Sequence, residues 1–237
     1  MTLLKFRELE PEEMDDPAIP RDKHEQALKG LARLNLISGA ASSIWGGLNS
    51  MGLGFRPYGD PPTVLDIATG GGDVPIALAQ KARQSGVKLR VSGADRSPTA
   101  IDYARNRAHR SDVPIDWLIR DTLEEPIPSG YDFICCCLFL HHLSNDAVVG
   151  LLARMAEAAG RGIIINDLQR SSLNLGLVWL GAHLLSRSEV VHRDSVRSVR
   201  AAFSLSEMSC LASQAGLFDA TIRQSFPCRF RLTWAKR

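Results

Sequence analysis

The sequence predicts an α/β protein with a doubly wound, mostly parallel seven-stranded sheet, an N-terminal helical lid and an inserted helix after the fifth strand. Three observations lead there. From Thr63 to Asn166, short apolar runs alternate with helix-period segments, the rhythm of repeated strand–helix units. The first run passes into a glycine cluster, VLDIATGGGD over Val64–Asp73, where a strand would turn into a helix. The C-terminus alternates Cys228, Phe230, Leu232 and Trp234 with Arg229, Arg231 and Thr233, the period of a strand.

The elements follow in order. Residues 1–20 are acidic and hold Pro11, Pro17 and Pro20, which suits an irregular arm. Leu28, Leu31 and Leu34 at near-helical spacing predict a helix over 21–35, and Ile44, Trp45 and Leu48 a second over 38–53. TVLDI is strand one. Asp73 is expected to cap the next helix, with Pro75 in its first turn, where a missing N–H costs little. Strand two runs over 88–94. Ser97-Pro98 opens a helix to about Arg110, and strand three covers 115–119. Residues 131–138 are almost continuously apolar, as a strand buried on both faces should be. Ser144 caps a helix reaching Gly160, and strand five covers 162–166. Leu173–Leu185 reads as an inserted apolar helix and 187–200 as a polar, arginine-rich segment. Ser206 is expected to cap a helix through Ala215. The final alternation is expected to be an antiparallel edge strand paired with 220–225. The division is therefore an arm and lid over 1–60 and a main domain over 61–237, with a substrate-side insertion at 171–203.

Composition narrows the function. With 237 residues, 45% hydrophobic and 23% charged, the chain is an ordinary globular one with room for a sizeable core. A net charge of +2 does not favour nucleic acid as a partner. The acidic N-terminus has no apolar signal region, and no apolar stretch is long enough to cross a bilayer, so a cytoplasmic protein without an integral membrane segment is expected. Of the five cysteines, Cys135, Cys136 and Cys137 are consecutive. Neighbours on a strand point to opposite faces, so the triple cannot converge on one metal. No metal is expected, and small buried thiols in a reducing compartment are.

The glycine cluster decides the ligand class. A dinucleotide fingerprint needs GxGxxG and a helix N-terminus facing a pyrophosphate. Gly70 and Gly72 fit, but Pro75 takes the third glycine position and Asp73 would repel phosphate. No GK[ST] follows, which removes a P-loop. Asp66 ends strand one, Asp95 ends strand two, and Asp121 and Thr122 follow strand three. Carboxylates at successive strand ends suit a cationic nucleoside whose hydroxyls donate to them.

These residues resemble the class I S-adenosylmethionine-dependent methyltransferases. Asp66-Ile67-Ala68-Thr69-Gly70-Gly71-Gly72-Asp73 is similar to their first motif, with Ala68 where many members have glycine, a feature shared by the ubiquinone and menaquinone methyltransferases. Ala94-Asp95-Arg96-Ser97, Arg120-Asp121-Thr122 and Leu138-Phe139-Leu140-His141-His142-Leu143 match later motifs, over roughly residues 60–225. IIINDLQRS and VRSVRAAFSLSEM resemble a bacterial subgroup acting on phenolic and quinone-like small molecules. The resemblance implies a Rossmann-like methyltransferase fold. It implies S-adenosyl-L-methionine held by Asp66, Ala68, Thr69, Gly70, Gly72, Asp95, Arg96, Asp121, Thr122 and Leu138, and a small phenolic or quinone-like acceptor.

Transfer to a phenol, of pKa about 10, gains from proton removal, and histidine is the natural base. His141 and His142 lie in the loop after strand four; the expectation is that only one points at the acceptor, with His141 favoured. Asp167 ends strand five and could orient the base or bind a hydroxyl. His192 and Asp194, amid Arg187, Arg193, Arg197 and Arg200, read as either a solvated face or a lid. Asn35, Ser38 and Trp45 are expected to close the cofactor side, and Arg105, Arg107, His109 and Arg110 to face solvent. The apolar insertion is either core or a wall over a hydrophobic acceptor. O-methylation is therefore the favoured reading. C-methylation of a quinone precursor stands second, and the rivals are a nicotinamide-dependent reductase and a non-catalytic cofactor-binding protein.

Overall fold

A computed structural model describes residues 4–16, 18–53 and 59–236. Pro17 of the expected arm lies outside the described residues, as do 54–58 just before the expected domain boundary. Two helices come first, α1 (Arg21–Ile37) and α2 (Ala40–Ser50). They are followed by β1 (Thr63–Ile67), α3 (Asp73–Gln84), β2 (Arg90–Asp95), α4 (Pro98–Arg110), β3 (Asp116–Ile119) and β4 (Phe133–Cys137). A 3₁₀ turn, Leu140–His142, leads to α5 (Asn145–Ala158) and β5 (Gly162–Leu168). Then come α6 (Ser172–Leu185), α7 (Glu189–Ala201), α8 (Leu205–Gln214), β6 (Thr221–Ser225) and β7 (Arg229–Ala235).

The seven strands run in the order β3-β2-β1-β4-β5-β7-β6. Five are parallel; β7 pairs antiparallel with both β5 and β6. The C-terminal strand is thus not the edge that its alternating sequence suggests. Both of its neighbours are hydrogen-bonded, and the exposed edge falls to the polar β6. Alternation along β1, β4 and β5 splits the core into two layers. Leu65, Ile67, Ile134, Cys136, Ile163 and Ile165 pack against α5 and α8 on one face. Val64, Phe133, Cys135 and Ile164 pack against Ile44 and Leu48 of α2 and Val74 and Leu78 of α3 on the other. Cys135 and Cys136 therefore point apart as expected, and all five thiols are free.

Several local expectations are corrected. Gly72, in the left-handed region at φ +75°, is the N-cap of α3, so Asp73 occupies the first helical turn and caps nothing. Ser204, not Ser206, caps α8, because Glu207 three residues on completes a reciprocal capping box. Helix α2 is a core layer rather than a lid, and Trp45 packs into that layer. The 187–200 segment is helical from Glu189, and Ser188 caps it. Nor is α6 a core helix: only Asn174 and Ala182 are buried along it, and Leu173 and Leu184 are more than 70% exposed.

Candidate active site

Strand order reverses between β1 and β4, and an open α/β sheet binds ligands beyond the carboxyl ends of its strands at such a point. A cleft of about 1340 Å³ lies there. Sites for one drug-sized ligand hold about 300–1,000 Å³, so two ligands fit side by side.

One end of the cleft is built from strand ends. Ala68, Thr69 and Gly70 after β1, Asp95 and Arg96 at the end of β2, Asp121 and Thr122 after β3 and Leu138 after β4 all line it. Ala68, Gly70 and Leu138 take left-handed backbone, with φ of +51°, +52° and +54°. Asp95 shapes the loop that it faces, accepting from the Gly70 N–H at 2.7 Å and the Ser97 N–H at 2.9 Å. Two residues of the expected set do not line the cleft. Asp66 is buried beneath the loop, where it accepts from Thr69 Oγ1 at 2.6 Å and the Cys135 thiol at 3.3 Å. Burial there pushes its carboxyl up to about 7. Gly72 faces inward, and a Cβ on it would lie 2.6 Å from Trp117. The start of α3 is occupied by the chain's own anion: Asp73 accepts from Arg107 Nη1 and from Asn35 Nδ2. Arg107, expected on a solvated face, is instead held against Gly71 and Asp73 behind the cleft lining. A pyrophosphate has no place at that helix end, whereas acceptor-only carboxylates at two strand ends suit nucleoside hydroxyls.

At the other end stands a cluster of imidazoles and carboxylates. Asp167 is fully buried in β5 and accepts from the N–H groups of Phe139, Leu140 and Leu168. Its remaining partner is His141 Nδ1 at 2.6 Å. Across the ring, His141 Nε2 lies 3.7 Å from Glu12 Oε1, and His142 Nε2 lies 3.9 Å from Glu12 Oε2. These separations are beyond hydrogen-bonding range. Burial alone would lower the His141 pKa, but the charge and hydrogen bond of Asp167, with Glu12 behind, raise it to about 10. Burial likewise opposes ionisation of Glu12 and Asp167, yet the histidines hold both below the usual carboxylate range.

The structure thus brings both histidines to the same place, contrary to the expectation that only one would point there. The tight 3₁₀ turn sets their ring centroids 4.3 Å apart. His141 is 3% exposed and clamped; His142 is the more open of the two. Asp167 holds His141 from behind and does not face the cleft. Asn166, on the opposite face of β5, is tied to Ser43, Phe230 and Arg229.

Two contributors were not visible in the sequence. Glu12 sits in the acidic arm, where nothing distinguishes it from Glu8, Glu10 or Glu13. The arm reaches the site because α7 receives it. Arg193 pairs with Glu13, Arg197 with Glu10 and Glu13, and Arg200 with Glu8. Buried Asp194 accepts the Glu13 and Met14 N–H groups. Arg7 stacks on Phe203 at 3.6 Å and donates to the carbonyls of Ala201, His141 and Leu143. The other is Arg229, 3% exposed in the cleft floor, which donates to Asn35, Ser38 and Asn166 and so joins α1 to the sheet. The pairing of complementary charge between arm and α7 was the one available signal for Glu12. His192 is not paired with Asp194; it stacks on His183 with ring centroids 4.1 Å apart. Leu177, Val178, Gly181 and Leu185 of α6 complete the site as an apolar wall.

Comparison with known proteins agrees with this geometry. A family model described as a methyltransferase domain matches residues 64–162. The chain is 32% identical over 121 residues to the demethylmenaquinone methyltransferase of Thermus thermophilus, a match covering 50% of this chain and 53% of that protein. It is 28% identical over 158 residues to the ubiquinone biosynthesis O-methyltransferase of Thiobacillus denitrificans, covering 65% of this chain and 63% of that one. The chain thus spans only about half to two thirds of the length of these curated relatives. Among solved structures, human N-acetylserotonin methyltransferase in complex with S-adenosylmethionine aligns with a TM-score of 0.67 at 16% identity, over 96% of this chain and 60% of that chain. At that identity the likeness is one of fold. The glycine loop and the carboxylates Asp66, Asp95 and Asp121 all fall within residues 64–162, the segment that matches a methyltransferase domain.

Proposed function

We propose that the protein transfers a methyl group from S-adenosylmethionine to a hydroxyl oxygen of a small, rather apolar phenolic or quinol-like molecule. One observation carries this reading: a single cleft joins the strand-end carboxylates Asp95 and Asp121 to the His142–Glu12 cluster beneath the apolar wall of α6. S-adenosylmethionine supplies the methyl group as a positively charged sulfonium. Asp95 and Thr122 hold the nucleoside end, and the Gly70 backbone permits close approach. Leu177 and Val178 bury the apolar body of the acceptor and exclude water. Its hydroxyl then faces His142. Ionising a phenol of pKa about 10 at pH 7 costs about 4 kcal/mol, which the cluster is there to offset. The hydroxyl gives up its proton by way of this cluster to solvent, and the phenolic oxygen forms the new bond to carbon as the carbon–sulfur bond breaks toward sulfur.

The test is transfer of labelled methyl from S-adenosylmethionine to a panel of phenols and hydroxyquinones, with His142→Ala alongside. Transfer to oxygen, reduced about 100-fold or more in the variant, supports the proposal. Tight cofactor binding with no transfer to any phenol overturns it. A second reading, C-methylation of a quinone precursor, is favoured by the match to a demethylmenaquinone methyltransferase. The carbon chemical shift of the labelled product separates a methoxy group from a ring methyl.

A further inference from the structure

We propose that Glu12, His141 and His142 bind one divalent transition-metal ion at the acceptor end of the cleft. The sequence offered no such expectation, because it presents no cysteine set and no recognisable histidine spacing. The fold assembles the site from the arm and the 3₁₀ turn, 129 positions apart at Glu12 and His141. One donor atom from each residue lies within 4.8 Å of the others. Glu12 stands with Oε1 3.7 Å from His141 Nε2 and Oε2 3.9 Å from His142 Nε2, one carboxylate oxygen toward each ring. Those gaps are too wide for direct hydrogen bonds. They are close to the spacing of about 3.4 Å that two bonds of about 2.1 Å to a shared ion impose.

The surroundings match a metal site in a second, independent way. Ligating imidazoles donate their other ring nitrogen to a carboxylate or carbonyl, which aims the coordinating lone pair. His141 Nδ1 meets Asp167 at 2.6 Å, and three backbone N–H groups fix that carboxylate. Ligating carboxylates are themselves hydrogen-bonded, and Ser198 Oγ donates to Glu12 Oε1. Glu12 and Asp167 together bring two negative charges against one dication. Two imidazoles and one carboxylate suit zinc, iron(II), cobalt(II) or nickel(II), and three protein ligands leave a position open toward the cleft. This deepens the proposed O-methylation and, for its chemistry only, rests on it. The acceptor's oxygen takes the open position and loses its proton to solvent. A bound zinc ion lowers the pKa of water from 15.7 to about 7, so a phenol beginning near 10 is ionised at neutral pH.

The experiment titrates cobalt(II) into the full chain after dialysis against a chelator, following visible absorption and heat. One equivalent should bind with the intense bands of a four- or five-coordinate ion, and zinc should displace it. Glu12→Gln and His142→Gln should each weaken binding at least 100-fold, and Asp167→Asn about 10- to 100-fold. Thermal melts confirm that the variants fold; His142 is partly exposed and least at risk. Binding unchanged in His142→Gln, or no absorption beyond that of the hydrated ion, overturns the site. Cobalt bound here while no phenol is methylated defeats the methyl-transfer reading and leaves the site standing. Full-rate transfer by chelator-treated protein defeats the ion's role and leaves that reading standing.

Discussion

Alanine placed in turn at the three consecutive glycines should separate stability from cofactor binding. At Gly72 the backbone sits at φ +75°, and an added Cβ would lie 2.6 Å from Trp117 Cη2 and 2.9 Å from Ala104 Cβ. Left-handed backbone costs a residue with a side chain about 1–2 kcal/mol, and overpacking about 1–3 kcal/mol. Lost unfolded-state entropy returns about 0.5–1 kcal/mol, which leaves Gly72→Ala destabilised by about 1–4 kcal/mol. At Gly70 the φ is +52°, and the nearest atom to an added Cβ is Leu28 Cδ2 at 4.0 Å, so only the backbone cost applies. That position lines the cleft, however, so Gly70→Ala should weaken S-adenosylmethionine at least tenfold. Gly71 has no positive φ, and its Cβ would meet Tyr103 at 3.3 Å, which a small ring movement absorbs; Gly71→Ala should cost under about 1 kcal/mol. Urea denaturation reads the stabilities and calorimetry the affinities. Gly72→Ala within 1 kcal/mol of the parent, or Gly70→Ala with unchanged affinity, would refute the division of labour.

Three further outcomes are expected. Asp66 has its folded pKa raised to about 7, so the native state holds a proton that the unfolded chain releases near 4. Its contribution to stability is full below pH 4 and is lost as pH rises through 7, by at most about 4 kcal/mol; Asp66→Asn should flatten that slope in urea melts at pH 4–8. Arg7→Ala removes the guanidinium from Phe203 and from the carbonyls of Ala201, His141 and Leu143, and should cost about 2 kcal/mol. The freed arm should then be cut after Glu8 by a glutamate-specific protease that spares the parent. Val178→Asp puts a charge in the apolar wall and should raise the KM for a phenolic acceptor more than tenfold while leaving cofactor affinity within about twofold.

Much of the fold was legible because its signals are local. The apolar run through 131–138 marks β4, buried on both faces, and Ser97-Pro98 and Ser144 start α4 and α5 where the sequence places them. Misplaced features depended on partners remote in the chain. The same alternation would suit β7 as an edge or as an interior strand; pairing with β5 decided it. The cap of α8 is the exception, because Glu207 three residues after Ser204 is a local capping-box signal that favours Ser204 over Ser206. Asp73 was legible as a charge that rejects phosphate, but not as the partner of Arg107 and Asn35.

By itself the sequence determined the strand–helix rhythm, the glycine turn at the first strand end and the carboxylates at the ends of β1 and β2. These are set by side-chain period, backbone freedom and residue type within a few positions. Only the tertiary structure decided that Asp66 lies beneath the loop while Asp95 faces the cleft, and that His141 is clamped while His142 is open. It alone decided that Glu12 of the arm completes the cluster. Those outcomes are distances between residues far apart in the chain, created when α7 binds the arm and β5 brings Asp167 behind the 3₁₀ turn, and no local pattern encodes a distance.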